Sequence, residues 1–262
     1  MSATGARPTG TMDEADAAQA VRNMFDSIAP RYDLLNHLLS ANVDRFWWRT
    51  TARRFATTLA RPEAAILDIC CGTGDLTMAL LKSRPSGSRP ILAADFSRGM
   101  LERGARKFAA FESRQSGSQG SKPPVQYAVP IEADALHLPL RSATLDLIVT
   151  AFGFRNLANY EAGLREFHRV LKPGGQLGIL EFNEPDGFIG AAYAVYFRCV
   201  LPAIGRLICG KNGPYSYLPT SVVKFPPPDA LLAMMRTVGY SGCAWQPFTF
   251  GIAGLYTATR PL

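Results

Sequence analysis

The stretch ILDICCGTGDLT, Ile66 to Thr77, decides the fold. Its first half is a short apolar run interrupted by Asp68, which reads as a buried strand. Gly72-Thr73-Gly74 then turns the chain, and a helical pattern starts at about Asp75. Glycines at such a turn relieve the steric limits on φ and let a ligand approach the backbone closely. A dinucleotide turn of the form G-x-G-x-x-G needs a third glycine at position 77, which is Thr77. What remains is D-x-x-x-G-x-G-D, with Asp68 before the turn and Asp75 after it.

Outward from this point, short apolar runs alternate with helical stretches. They are ILDIC (66–70), DLTMALLK (75–82), PILAADF (90–96), SRGMLERGARKFAAF (97–111), YAVPIEADA (127–135), LDLIVTAF (145–152), YEAGLREFHRVL (160–171) and GQLGILEF (175–182). Strands alternating with helices predict an α/β fold: a doubly wound, mostly parallel sheet with helices on both faces. A helix over 229–238 and closing strands within FTFGIAGLYTATR complete it. Residues 1–18 are small and polar and read as a disordered tail, and residues 19–262 as one domain. Within that domain, 20–60 is an N-terminal helical segment and 183–225 an apolar, Gly-interrupted lid over substrate. RQSGSQGSKPP (114–124) reads as a surface loop.

The chain has 262 residues, of which 47% are hydrophobic and 19% charged, enough for a sizeable core without disulfides. Its net charge of +7 admits an anionic partner, yet no basic block of five or more occurs. Five cysteines without C-x-x-C spacing, and His37, His137 and His168 lying far apart, give a reducing-compartment pattern with no zinc site. The start has no signal-peptide apolar stretch, so a cytoplasmic chain is expected. The longest apolar run, Phe188 to Cys209, is broken by Arg198, Pro202 and Arg206 and falls short of a spanning helix.

Ligands of such sheets bind beyond the carboxyl ends of the strands, where three acids recur. Asp68 or Asp75 beside the glycine turn would repel a phosphate and attract a cation. S-adenosylmethionine, which has a sulfonium, an ammonium and no phosphate, fits that placement. Asp95 ends the second strand, where a carboxylate accepts from both ribose hydroxyls. Asp134 and Ala135 end the third, suited to an adenine amino group with room for the ring.

ILDICCGTGDLT, ADFSRGML, EADALHLPL, LDLIVTAFGFRNL and FHRVLKPGGQLGILEF resemble the successive motifs of class I S-adenosylmethionine-dependent methyltransferases. YDLLNHLLSANVDRFWW, AFGFRN and HRVLKPGGQLGILEFN narrow the resemblance to the ubiquinone/menaquinone biosynthesis C-methyltransferases, from about Val21 to Tyr240. The double cysteine Cys70-Cys71 is similar to the cyanobacterial and plastid branch, which implies methylation of 2-phytyl-1,4-naphthoquinol; demethylmenaquinol, or a prenylated methoxybenzoquinol, is the alternative. The resemblance implies cofactor contacts at Asp68, Gly72, Thr73, Gly74, Asp95, Asp134 and Ala135, and no metal. It implies catalytic roles for Arg155 and Asn156, with Tyr32 and Asp33 helping to close the site. Two positions depart from the family pattern: Asp44 stands where His is usual, and Ala151 where Ser is common.

Arg155 is too basic to serve as a simple base. Its expected role is to stabilise a developing quinol oxyanion or orient a water, with Asn156 placing the cofactor or the ring. Phe46, Trp47, Trp48 and the 188–209 run either wall a channel for the isoprenoid tail or pack onto the sheet. The expected partners are a lipid quinol and, through basic residues such as Arg198 and Arg206, an anionic membrane face. Nucleic acid is not expected, since no basic and aromatic residues interleave. A nucleotide-dependent oxidoreductase on the same architecture is the competing class, disfavoured by the absent third glycine.

Overall fold

The computed structural model describes residues 5–8, 10–29, 42–116, 126–185 and 217–262. Seven strands form one sheet: β1 (Ile66–Ile69), β2 (Ile91–Asp95), β3 (Ala128–Glu132), β4 (Leu145–Ala151), β5 (Leu171–Phe182), β6 (Ser241–Phe248) and β7 (Ala253–Thr259). Their order is β3-β2-β1-β4-β5-β7-β6. The first five run parallel, and β7 is antiparallel to both β5 and β6. Strand order reverses between β1 and β4, which opens a crevice at their carboxyl ends.

The described helices are α1 (Glu14–Ile28), α2 (Val43–Arg54), α3 (Ala56–Leu59), α4 (Asp75–Leu81), α5 (Arg98–Ser116), α6 (Tyr160–Val170), α7 (Tyr217–Lys224) and α8 (Pro228–Val238). The period of two along the buried strands divides their side chains between two cores. Ile66, Leu147 and Val149 join Trp47, Trp48, Phe55, Leu76 and Leu80 on one face of the sheet. Leu67, Ile69 and Ile148 join Phe154, Phe167, Leu231 and Met235 on the other. That two-faced burial makes these runs read as continuously apolar in the sequence.

Several boundaries differ from expectation. Residues 1–18 are not a tail throughout: α1 starts at Glu14, where the Asp13 side chain accepts from Asp16 N at 2.8 Å as an N-cap. Further upstream, Ala6 N donates to Leu157 O (2.8 Å) and Arg7 Nη1 to Ala158 O (2.7 Å). Helix α5 runs on to Ser116, into the expected loop, whose residues 117–125 lie outside the described residues. Strand β5 begins at Leu171, and its register with β4 slips between Leu145↔Leu171 and Leu147↔Gln176. Gly174, at φ 77°, absorbs that irregularity. Most of the expected lid, 186–216, lies outside the described residues. No helix among the described residues is long and apolar enough to cross a membrane.

Candidate active site

The crevice at the β1/β4 switch holds a cleft in two lobes, which meet at Cys70, Gly72, Ala151 and Phe152. The larger lobe, about 690 Å³ with its open mouth included, is lined by Asp95, Phe96, Asp134, Ala135, Asn156 and Leu157 among others. Asp68, Thr73, Asp75 and Trp48 line the smaller. The turn between β1 and α4 takes left-handed backbone at Cys70 (φ 54°), Gly72 (φ 55°) and Gly74 (φ 83°). A Cβ at Gly74 would lie 2.5 Å from the Phe108 ring, so glycine is needed there for space as well as for φ.

Asp95 ties the turn to the second strand. Its Oδ2 accepts from Gly72 N (2.8 Å) and its Oδ1 from Ser97 N (2.9 Å), which leaves each oxygen a lone pair for a further donor. Burial pushes this carboxyl up to about 6, against those two bonds, which act to lower it. Asp68 lies deeper and is fully buried. Its Oδ2 accepts from Thr77 Oγ1 at 2.5 Å, while Oδ1 has no hydrogen-bond partner among the described residues. Burial, with the nearby Asp95 and Asp75 adding to it, raises Asp68 to about 7. Thr77, the residue that spoils a dinucleotide fingerprint, is thus the partner of the buried acid. Asp75 pairs with Lys107 (2.7 Å), which also donates to Thr73 Oγ1 (3.0 Å). At the far end, Asp134 Oδ1 accepts from Leu136 N at 2.9 Å, and Ala135 is buried beside it.

Beyond β4 the chain bends at Phe152, also left-handed (φ 58°), and enters a 3-10 turn, Phe154–Asn156. Asn156 faces the cleft, and its Oδ1 is buried with no hydrogen-bond partner among the described residues. Arg155 points behind the cleft wall. Its Nη1 donates to Glu181 Oε1 (2.7 Å) and to Phe152 O, and its Nε to Ser221 Oγ (3.3 Å). Glu181, which is fully buried, also accepts from the Arg155 N–H (3.1 Å) and from Phe182 N (2.9 Å). The structure therefore gives Arg155 a carboxylate partner, and among the described residues Asn156, not Arg155, lines the cleft.

Other expectations sort out by burial. Tyr32 and Asp33 lie outside the described residues, as do His37, Arg198 and Arg206. Trp47 is a packing residue that donates to Thr249 Oγ1 (2.8 Å) and rests against Phe152 and Phe182, Trp48 packs in the same core while lining the smaller lobe, and Phe46 points into solvent. His168 packs edge-on against Tyr240, and His137 is largely exposed with Nδ1 3.2 Å from Asp134 Oδ2. Cys70 and Cys71 are free, partly exposed thiols that line the cleft at the turn, and burial drives their pKa values up, so neither is a ready thiolate. Asp44 is buried and Ala151 lines both lobes.

Residues 12–260 match the ubiE/COQ5 methyltransferase family. This chain belongs to that family. It is 45% identical over 241 residues to the demethylmenaquinone methyltransferase of Thermus thermophilus, covering 91% of this chain and 100% of that protein. It is 42% identical over 261 residues to the enzyme of the same name from Deinococcus radiodurans, with 99% and 100% covered. Among solved structures, the [4+2]-cyclase SpnF superposes with a TM-score of 0.63 at 15% identity, over 98% of this chain and 99% of that one. A SAM-dependent methyltransferase from Thermotoga maritima gives 0.57 at 17%, over 91% and 99%. These two likenesses establish the class I methyltransferase fold and nothing finer.

As a member of the ubiE/COQ5 family the chain is an enzyme, a methyltransferase that uses S-adenosylmethionine, and the oxidoreductase reading falls away. The residues present fit that cofactor: an acid with spare lone pairs at the second strand tip, and a buried, unpartnered Asp68 Oδ1 in the lobe where a cationic amino-acid end belongs. The phylloquinone branch inferred from Cys70-Cys71 finds no support, since the relatives above carry the demethylmenaquinone name. Sequence reasoning missed Lys107, Glu181 and the part played by α1, whose Ala18 and Phe25 line the larger lobe. Asp26 on α1 accepts from Ser97 Oγ (2.5 Å), which binds that helix to the Asp95 loop.

Proposed function

We propose that this enzyme methylates the ring carbon of demethylmenaquinol to give menaquinol. The observation that carries the reading is the near-complete match, at 42% and 45% identity, to two proteins named demethylmenaquinone methyltransferase. The cleft supports it, with carboxylates at the strand tips and apolar side chains such as Phe25, Met100 and Leu157 around them.

When bound, the cofactor would supply an electrophilic methyl group on a sulfonium and leave as the thioether, and a reduced quinol ring carbon is nucleophilic once a hydroxyl proton passes to solvent water; after the transfer the ring carbon loses its own proton as the oxygen regains one. In this proposal Asp95 holds the ribose hydroxyls, Asp134 and Ala135 the adenine, and Asp68 with Gly72, Thr73 and Gly74 the amino-acid end. Asn156 accepts a hydrogen bond from the quinol hydroxyl through Oδ1 and so sets the ring over the cleft. Arg155 works as a positioning residue: held by Glu181, it fixes the Phe152 carbonyl and the turn that presents Asn156. Tyr32 closes the site from the N-terminal side. Holding the two reactants in line is the larger part of the rate gain in such a transfer.

The test is a methyl-transfer assay with labelled S-adenosylmethionine and a panel of chemically reduced prenyl-naphthoquinones and prenyl-benzoquinones. Demethylmenaquinol is expected to be the preferred acceptor, with Asn156→Ala losing turnover by about 10²-fold while cofactor affinity stays within a few-fold. Label transfer to benzoquinols alone, or to no quinol, refutes the reading.

A further inference from the structure

Helix α2 presents two unlike faces. Asp44, Trp47, Trp48, Thr51 and Ala52 are buried against the sheet. On the opposite side Arg45, Arg49 and Arg53 follow one another at a spacing of four, with Phe46 beside them, and all four are exposed. Phe46 is 55% exposed, and no acidic residue occurs between Asp44 and Glu63. None of the three arginines forms an ion pair with a described residue, whereas Arg61 and Arg169 do.

A second apolar group stands next to this face. The turn between β6 and β7 carries Phe250, 78% exposed and held in left-handed backbone at φ 57°. A bulky side chain at positive φ is strained, and here its ring gains no packing in return. The turn is pinned to α2 by the 2.8 Å bond from Trp47 Nε1 to Thr249 Oγ1, so Phe46 and Phe250 flank one hydrogen bond. The turn itself carries no acidic residue, and the exposed carboxylate next to it is Glu184, one residue before the Pro185 that lies against Gly251. Because Phe182 pairs with Ala253, this turn lies at the carboxyl end of β5, the same edge of the sheet as the cofactor cleft. Trp48 on α2 lines the cleft from within.

We infer that the outer face of α2 and the β6–β7 turn form a docking surface for an anionic lipid bilayer, with Phe46 and Phe250 entering the interface and Arg45, Arg49 and Arg53 meeting the headgroups. One exposed ring beside the arginine row and a second on the adjoining turn, with the three guanidinium groups in no ion pair with a described residue, match both layers of such a surface: apolar beneath, negative above. A nucleic acid would satisfy the charge but leave the strained, outward Phe250 without a reason. A second copy of this chain would bring the same arginines against one another. The placement sets the open edge of the sheet toward the bilayer, so that a lipid-soluble acceptor is delivered to the cleft; this consequence rests on the quinol reading above, whereas the surface itself does not.

The experiment is co-sedimentation of the full-length protein with vesicles of phosphatidylcholine alone and of phosphatidylcholine with phosphatidylserine. The wild type is expected to bind the anionic vesicles and to be released by salt. R45Q/R49Q/R53Q should weaken that binding by more than tenfold, since each basic residue near an anionic surface is worth about a fivefold factor in partitioning. F250N, which suits left-handed backbone, should weaken binding severalfold without changing its salt dependence. Unchanged cofactor affinity in both variants shows that the fold and the cleft are intact. The inference is overturned by equal binding of wild type and variants to anionic vesicles, by binding to duplex DNA with none to vesicles, or by a dimer that the substitutions dissociate. Methyl transfer to a short-tailed, water-soluble naphthoquinol separates the two proposals: its absence in the wild type removes the quinol reading and leaves the vesicle result standing.

Discussion

Asp68 shows how one buried carboxyl couples cofactor binding to pH. Its pKa, pushed up to about 7 by burial from an ordinary 3.8, means that the folded protein holds a proton there that the unfolded chain releases. In the free protein this stabilising contribution is complete below about pH 4 and is lost as pH rises through about 7. A cationic ligand reverses the preference, because it favours the ionised acid. Affinity for S-adenosylmethionine should therefore rise between about pH 5.5 and pH 8, with proton release near pH 6 to 7. Calorimetry in two buffers of different ionisation enthalpy measures that release directly. Asp68→Asn should flatten the profile, and a wild-type affinity independent of pH over the same span would refute the linkage. Asp95 and Asp134 were legible in the sequence because each sits at the tip of a strand whose apolar run is obvious. Glu181 and Lys107 were not, since their partners lie 26 and 32 residues away and only the folded chain brings them together.

At the scale of elements, the chain just past β1 and the chain just past β4 lie against each other, and Gly153 is what permits it. A Cβ at Gly153 would fall 2.3 Å from Cys70 Cβ, so the neighbouring turns must part to admit a methyl group. Cys70 is itself held at φ 54°, and Phe152, the residue before Gly153, at φ 58°, which leaves little backbone freedom to absorb the shift. Gly153→Ala should cost about 1–3 kcal/mol of stability, as overpacking in a tight core does, and should also widen the junction of the two lobes. Urea unfolding with and without S-adenosylmethionine distinguishes these effects, and the stabilisation by cofactor is expected to shrink in the variant. A variant as stable and as cofactor-responsive as the wild type would show that the turns yield freely. The strands and helices around this junction followed from apolar runs and glycine turns. The KPGG segment did not, since its irregular pairing to β4 comes from the neighbouring strand and leaves no trace in the local pattern.

The whole molecule depends on its first residues more than their composition implies. Ala6 and Arg7 donate to the carbonyls of Leu157 and Ala158, and Glu14 accepts from Asn159 Nδ2 at 3.2 Å. Leu157 and Ala158 line the larger lobe of the cleft with Asp95 and Asp134, so this strap braces the wall of the lobe proposed above for the adenosine. Small, polar sequences look disordered because they cannot bury a core of their own, but a strap needs only backbone donors and a surface to lie on. Two such hydrogen bonds contribute about 0.5–1.5 kcal/mol each, small against the stability of a chain this size but comparable to a tenfold change in affinity. Deleting residues 1–8 should therefore lower the melting temperature by only about 2–4 °C per kcal/mol lost while weakening S-adenosylmethionine binding by about three- to tenfold. Arg7→Ala should show part of the same loss, because it removes the bond to Ala158 and the 3.6 Å ion pair with Glu14 but keeps the Ala6 bond. Truncated protein that binds the cofactor as tightly as the full chain would mean that α1, held by Asp26 to the Asp95 loop, closes that side of the cleft without help from the strap.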